Sequence, residues 1–169
     1  PGCPITAYWA SSGMINVYTN AKLLDDVALP KQGIATSNND KFIRYWYEVQ
    51  YNKLHFTCKT HEEAFNSGKK WFPYNKGGNF RKWYGNNDYV INWEYDGAEL
   101  KNYKGSVLRN PNYYFRECIS WSLISSYTIA FRYKPIGHLF DVAGMSCFSK
   151  NDVPLEYLLA LNNSCLIGK

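Results

Sequence analysis

The stretch KKWFPYNKGGNFRKWYGNNDYVINWE, Lys69 to Glu94, decides how the chain is read. Three short runs, KKWFPY, NFRKWYG and YVINWE, are rich in aromatic and β-branched residues, the types that suit a pleated, half-buried surface. Asn75-Lys76-Gly77-Gly78 separates the first two, and Asn86-Asn87-Asp88 the second two. Both clusters supply the positive φ angles that tight turns between strands require. The pattern predicts a three-strand meander with aromatic-rich faces.

Outward from this block, KFIRYWYEV (41–49) alternates Ile43, Tyr45, Tyr47 and Val49 with Phe42, Arg44, Trp46 and Glu48, the period-two signature of a strand. It follows QGIATSNND (32–40), whose small polar residues mark a loop. NAKLLDDVA (20–28) suits a helix started by Asn20 and stopped before Pro30. THEEAF carries a capping box, Thr60 with Glu63, and its helix ends at Ser67-Gly68. A second hairpin is expected over TIAFRYKPIGHLFDVAG (128–144), turning at Pro135-Ile136-Gly137. DVPLEYLLALNNS (152–164) reads as an amphipathic helix capped by Asp152, with Leu155, Leu158 and Leu159 on one side. The sum is an α+β fold: a strand-dominated mixed sheet and hairpins with a few short helices, in a single domain over residues 1–169.

The chain begins Pro1-Gly2-Cys3, without an initiator Met, and reads as a piece of a longer polypeptide. No apolar run approaches the roughly 18 residues of a membrane span. Five scattered cysteines without a Cys-x-x-Cys pair suggest reduced, intracellular thiols and no zinc site. His55-x-x-Cys58 has ligand spacing but no second pair beside it. No Gly-x-Ser-x-Gly is present, and His138 near Asp141 lacks an activated nucleophile. Glu94 and Asp96 look more like a turn at Glu-Tyr-Asp-Gly than a carboxylate pair.

The net charge of +5 is compatible with an anionic partner, and 18% aromatic content, much of it beside Lys, Arg and Asn, suits stacking on bases or sugars. Lys69, Lys70, Lys76, Arg81 and Lys82 fall within fourteen residues without an acid among them. They would neutralise phosphates while Trp71, Phe72, Trp83 and Tyr84 stack, and Asn86 and Asn87 would bond base edges. In the 35–40 loop, Thr36, Asn38 and Asn39 could line a groove, with Arg44 a minor contact from the strand that follows.

Taken together these segments resemble a known family. QGIATSNNDKFIRYWYEV and KWFPYNKGGNFRKWYGNNDYVINWEYDG are similar to consecutive segments of the PglX-type adenine-specific DNA methyltransferases of BREX phage-defence systems. YYFRECISWS, FRYKPIGHLFDVAGMS and the opening PGCPITAYW resemble further parts of the same proteins, so the likeness spans almost the whole chain. It implies a place beyond the catalytic domain, in a region resembling the TaqI-like C-terminal specificity domain, the target-recognition module. The family's S-adenosylmethionine site and Asn-Pro-Pro-Tyr loop would then lie upstream, leaving no catalytic residue and no cofactor in this segment, which would be inactive alone. The implied partners are double-stranded DNA, the catalytic domain of the same polypeptide and other phage-defence proteins, in the cytoplasm of a bacterium. The DNA contacts implied are Lys76, Arg81, Lys82, Asn86 and Asn87, then Thr36, Asn38 and Asn39, with Arg44 and Tyr84.

Two positions depart from the family: Thr36-Ser37 stands where Thr-Gly is usual, and Cys118 where Gly is more frequent. RNPNYYF (109–115) is one residue from the Asn-Pro-Pro-aromatic loop that grips a flipped adenine, yet no buried apolar strand precedes it. Asn110-Pro111-Asn112 is therefore expected to be a turn, with Tyr113, Tyr114 and Phe115 opening the next strand. A carbohydrate-binding module, resting on the same aromatic platforms, and a protein-interaction domain are the alternatives.

Overall fold

A computed structural model describes residues 9–125 and 128–165. Helix α1 (Ser12–Asn20) is capped by Ser11, whose Oγ accepts from the Met14 amide at 3.2 Å. The helix expected over 20–28 is not formed: Asn20 closes α1, α2 (Leu24–Val27) is a single turn, and β1 (Ala28–Lys31) follows at once. Pro30 therefore sits inside a strand. It is tolerated because β1 is at the edge of its sheet, paired only with β9 (Gly144–Ser149), so a missing N–H costs no ladder bond on the open side.

The strand expected over 41–49 is cut to β2 (Ile43–Tyr45). Upstream, the Asn38 side chain accepts from the Lys41 amide at 3.0 Å and starts the helical turn α3 (Asn39–Phe42). Downstream, the Glu48 carboxylate accepts from the Tyr45 amide at 2.9 Å and tightens residues 46–48 into a 3₁₀ turn. Period-two alternation is real here, but local side-chain capping outcompetes the ladder. Helix α4 (His61–Asn66) forms as expected, with the Thr60 hydroxyl accepting from the Glu63 amide at 3.0 Å and Gly68 beyond it at φ +63°.

The central block contains β3 (Trp71–Asn75), β4 (Trp83–Tyr84) and β5 (Tyr89–Asn92), followed by α5 (Glu94–Lys101). It is not a meander. Strands β3 and β5 pair directly and antiparallel, Trp71 opposite Asn92 and Tyr74 opposite Tyr89. Strand β4 leaves for a second sheet, where it runs parallel to β7 (Arg132–Lys134). The 128–144 hairpin is likewise absent, because β8 (Leu139–Phe140) joins β3 in parallel while β7 pairs antiparallel with β6 (Cys118–Ser122). The result is two mixed sheets, β1-β9-β6-β7-β4 and β2-β5-β3-β8. All five residues of β3 are buried, so it is an interior strand whose two edges are filled by β5 and β8. Asn86-Asn87-Asp88 therefore makes no hairpin turn and is drawn to β7 instead: buried Lys134 donates to Gly85 O, Asn86 O and Asn87 Oδ1 at 2.9, 2.8 and 2.6 Å.

Asn75, at the end of β3, welds the sheets. Its buried amide donates to Ser120 Oγ in β6 at 2.6 Å and to Gly144 O in β9 at 3.0 Å. The main core joins Phe72, Tyr74, Ile91 and Trp93 to Ile34, Phe42, Tyr114, Phe115 and Phe140. A smaller one packs Leu155 and Leu158 of α6 (Leu155–Asn163) against Ile119, Phe131 and Cys147. The N-cap of α6 is Pro154, not Asp152, which adopts φ +57° in the turn before it. At Gly33 only glycine fits, since a Cβ would lie 1.8 Å from the Phe140 carbonyl oxygen.

His138 is buried beside this core, its Nδ1–H donating to Pro135 O at 3.1 Å. Burial first, then the nearby Lys134 charge, pulls the imidazole from 6.5 to about 4. A depressed folded-state value means that its contribution to stability is fully present above pH 6.5 and is lost as pH falls toward 4. That gap corresponds to about 3 kcal/mol at most. Urea denaturation at pH 6.5 and 5 is expected to show a larger acid loss for the wild type than for His138→Gln. Equal losses would refute it.

Candidate nucleic-acid interface

The ten residues expected to contact DNA fall into two groups at different places on the surface. The first gathers around Lys76. Thr36 is buried and donates to Asn39 Oδ1 at 2.7 Å, and Asn38, besides capping α3, donates through its side-chain amide to Tyr103 Oη at 3.1 Å. Lys76 reaches the same Asn39 oxygen at 3.3 Å and pairs with Asp141 at 2.9 Å, a buried carboxylate that also accepts from Tyr74 Oη at 2.8 Å. Arg44 turns back on its own chain, donating to Asp40 O and, at 2.6 Å, to Ile43 O.

A groove of about 450 Å³, lined by Asn39, Arg44, Tyr45, Lys76 and Tyr89, opens on one side of Lys76. Its cations are balanced by Asp40, Glu48 and the nearby Asp141. Such a mixed lining is built for hydrogen bonding and not for bulk phosphate neutralisation. Ser37, where glycine was the family's usual residue, takes φ +57°, so the turn survives with serine in a conformation that glycine adopts at lower cost. Its hydroxyl donates to Gly105 O at 2.5 Å, which helps to hold it there.

The second group follows the edge strand β4. Three of its members serve the fold. Lys82 donates to Asn163 O at 3.1 Å, at the carbonyl end of α6 where a cation is favoured. Asn86 is buried in a left-handed conformation and donates to Asn79 O at 2.9 Å, while Asn87 accepts from Lys134. Arg81 and Tyr84 differ. Both are exposed, and neither makes a side-chain hydrogen bond or ion pair among the described residues. Phe80, Trp83 and Tyr84 are all more than half exposed, so this edge presents a cation within a row of open rings. Trp71 and Phe72, by contrast, are core residues and unavailable for stacking.

Arg132 and Lys134 were not singled out in the sequence, yet both are buried beneath this edge. The signal was available: they stand two apart in AFRYK, on one face of a strand whose surroundings are apolar. Burial, reinforced by Arg132, brings the Lys134 ammonium down to about 7, and its three oxygen acceptors hold the charged form in place.

Other expectations resolve simply. Asn110 is left-handed and opens a 3₁₀ turn over Pro111–Tyr113, so the near-match to a catalytic loop is a turn. Tyr114 and Phe115 enter the core and not a strand, which begins only at Cys118. Burial pushes the Cys118 thiol up to about 12, unfit as a nucleophile. Asp141 and His138 bond different partners and form no pair. Cys58, His55 and Glu63 bring their ligating atoms within 4.8 Å of one another, a convergence the sequence spacing alone did not reveal. The group closes on itself: His55 pairs with Glu63 at 3.1 Å, and the Cys58 thiol, raised to about 11 by burial, donates to Thr60 O at 3.3 Å. Cys3 lies outside the described residues. Among the described residues no helix is long and apolar enough to cross a membrane.

The described residues present a groove and a cationic aromatic edge on a two-sheet frame. Comparison with known proteins supplies the class: over nearly its whole length the chain is homologous to a segment of PglX/BrxX adenine-specific methyltransferases. It is 43% identical over 173 residues to the adenine-specific methyltransferase PglX of Lacticaseibacillus casei (strain Zhang), covering 97% of this chain and 14% of that protein. To the adenine-specific methyltransferase BrxX of Escherichia coli O9:H4 (strain HS) it is 40% identical over 172 residues, covering 99% of this chain and 13% of that protein. The chain thus spans about one-seventh of these relatives. No family model matches it.

Proposed function

We propose that this chain is the DNA target-recognition segment of a site-specific, S-adenosylmethionine-dependent adenine-N6 methyltransferase of phage defence. The observation that carries the reading is the β4 edge, where Arg81 and Tyr84 are exposed without internal partners, in a chain homologous to adenine-specific methyltransferases. Methylating an exocyclic nitrogen requires the adenine to leave the stack, and the catalytic loop that holds it is occupied with that base. Neighbouring bases must be read by a separate surface. The Arg81 edge supplies charge and stacking, and the Asn39, Arg44 and Lys76 groove supplies hydrogen-bonding groups of both senses. In this reading the cofactor and the catalytic loop belong to another part of the polypeptide. Helix α1 buries none of its residues and exposes Met14, Ile15, Val17 and Tyr18, which fits contact with that catalytic domain.

The test is binding of duplex DNA by fluorescence anisotropy at several salt concentrations. A module held by several phosphate contacts loses affinity linearly on a log–log plot, with a slope near −0.9 per contact. Retention on a glycan array without dependence on salt would instead select the carbohydrate-binding alternative, for which the open rings of Phe80, Trp83 and Tyr84 are the supporting observation.

A further inference from the structure

Beneath the β4 edge lies a cavity of about 150 Å³, lined by Gly78, Asn79, Phe80, Ser122, Thr128 and Arg132, among others. Arg132 is 1% exposed, and no carboxylate pairs with it among the described residues. A guanidinium has five N–H donors. Among the described residues two hydrogen bonds engage them, Nη2 to Ser122 Oγ at 3.0 Å and a long one from Nη1 to Arg81 O at 3.4 Å. Nε has no acceptor at all. The neighbouring charge that acts on it is Arg81, of the same sign.

Leaving a buried cation this poorly compensated is unfavourable, and buried charges are ordinarily paired or bound to a counter-ion. The Ser122 hydroxyl does not provide compensation, since it donates to Gly78 O at 2.6 Å and offers Arg132 only a lone pair. Around the guanidinium the lining mixes hydroxyl, amide and backbone groups with the apolar Phe80, Ile124 and Ala130, holds no carboxylate, and has volume for about five waters. A small oxyanion is the ligand class that matches. It would accept from Nε and the unused Nη hydrogens.

We propose that Arg132, beside the Gly78-Asn79 backbone, forms an anion site for a phosphoryl group. The site rests on the orphaned guanidinium and stands apart from the DNA reading. If that reading holds, the natural occupant is a backbone phosphate of the duplex gripped by the β4 edge. Otherwise it is free phosphate or the phosphate of a small molecule.

Thermal denaturation in inorganic phosphate against chloride at matched ionic strength and pH tests the site itself. Wild type is expected to gain stability saturably with phosphate, and Arg132→Gln to lose that gain. Should Arg132→Gln fail to fold, Arg132→Lys, which keeps the charge but lacks the Nε–H and the guanidinium fork, is expected to weaken phosphate binding severalfold. No saturable gain in the wild type, or an undiminished gain in both variants, overturns the proposal. The duplex arm separates the sources. A DNA affinity reduced at least tenfold in Arg132→Gln, or severalfold in Arg132→Lys, with phosphate as competitor, identifies a DNA phosphate. Unchanged DNA affinity with phosphate binding lost leaves the site in place with a free phosphate as its ligand. Wild type that binds phosphate but no DNA refutes the recognition function and not the site.

Discussion

Arg81→Glu is expected to weaken duplex DNA binding by at least tenfold and to leave folding intact. A charge-assisted contact to a base or phosphate is worth about 1–3 kcal/mol, and reversal adds repulsion to its loss. Arg81 is the residue for this test because nothing internal depends on its guanidinium, which makes no hydrogen bond among the described residues and lies over Gly85. A Cβ at Gly85 would come within 2.3 Å of the Arg81 Cδ, so this glycine is what lets the side chain lie along the edge. Lys82 is a poorer probe, since its ammonium holds the carbonyl end of α6 through Asn163 and its reversal would perturb the fold. Two readouts are needed: affinity by anisotropy, with the salt slope reduced by about one, and the melting temperature. An affinity within twofold of wild type would remove the β4 edge from the interface. In a methyltransferase containing this segment, the same substitution should depress methylation of the recognised site without touching cofactor binding.

Asp96→Ala is expected to be the most destabilising single change outside the apolar core. Tyr95, Asp96 and Gly97 form a left-handed turn, with φ of 52°, 56° and 75°. For Tyr95 and Asp96 that conformation costs about 1–2 kcal/mol each. One carboxylate over-determines the turn: Asp96 accepts from His61 Nδ1 at 2.6 Å, Trp93 Nε1 at 2.9 Å and Lys101 Nζ at 2.6 Å, uniting α4, the end of β5 and α5. Alanine leaves the indole N–H of fully buried Trp93 without its acceptor and removes the bonds from His61 and Lys101 that hold the left-handed turn against its strain. The sum is about 3 kcal/mol or more, which for a chain of this size lowers the melting temperature by roughly 6–12 °C. A shift below 2 °C would show that the turn is held by other contacts. Asp96→Asn, which keeps an acceptor oxygen, should fall between the two.

The same residue illustrates what was legible beforehand. Glu-Tyr-Asp-Gly could be read as a turn because its residue types tolerate positive φ, but that the turn clamps α4 to α5 follows from His61, thirty-five positions away. The Thr60 cap of α4 and the leucine face of α6 were likewise readable, since every atom involved lies within one or two helical turns. Of the expected DNA contacts, Arg81 and Tyr84 kept their exposure. Lys76, Lys82, Asn86 and Asn87 proved to have internal partners. Cationic and amide side chains in an aromatic block look alike in sequence whether they face water or bridge two sheets.

Local chemistry therefore settled the α+β class, several short elements, the turn at Asn110-Pro111-Asn112, and, through the RKWYGN and FRYKPIG segments, the kinship with adenine-specific methyltransferases. Strand partnership was beyond its reach. A period of two says that a strand has two faces, and nothing in it says which strand lies alongside. The five buried residues of β3 drew β5 and β8 to its edges, and Lys134 drew the 85–87 segment to β7, so that β4 became the exposed edge of the other sheet. Long-range pairing of this kind is set by which arrangement buries the most apolar surface while satisfying the buried ammonium, guanidinium and amide groups together. That is a property of the whole assembled chain, and it is what placed Arg81 in solvent and Arg132 beneath it.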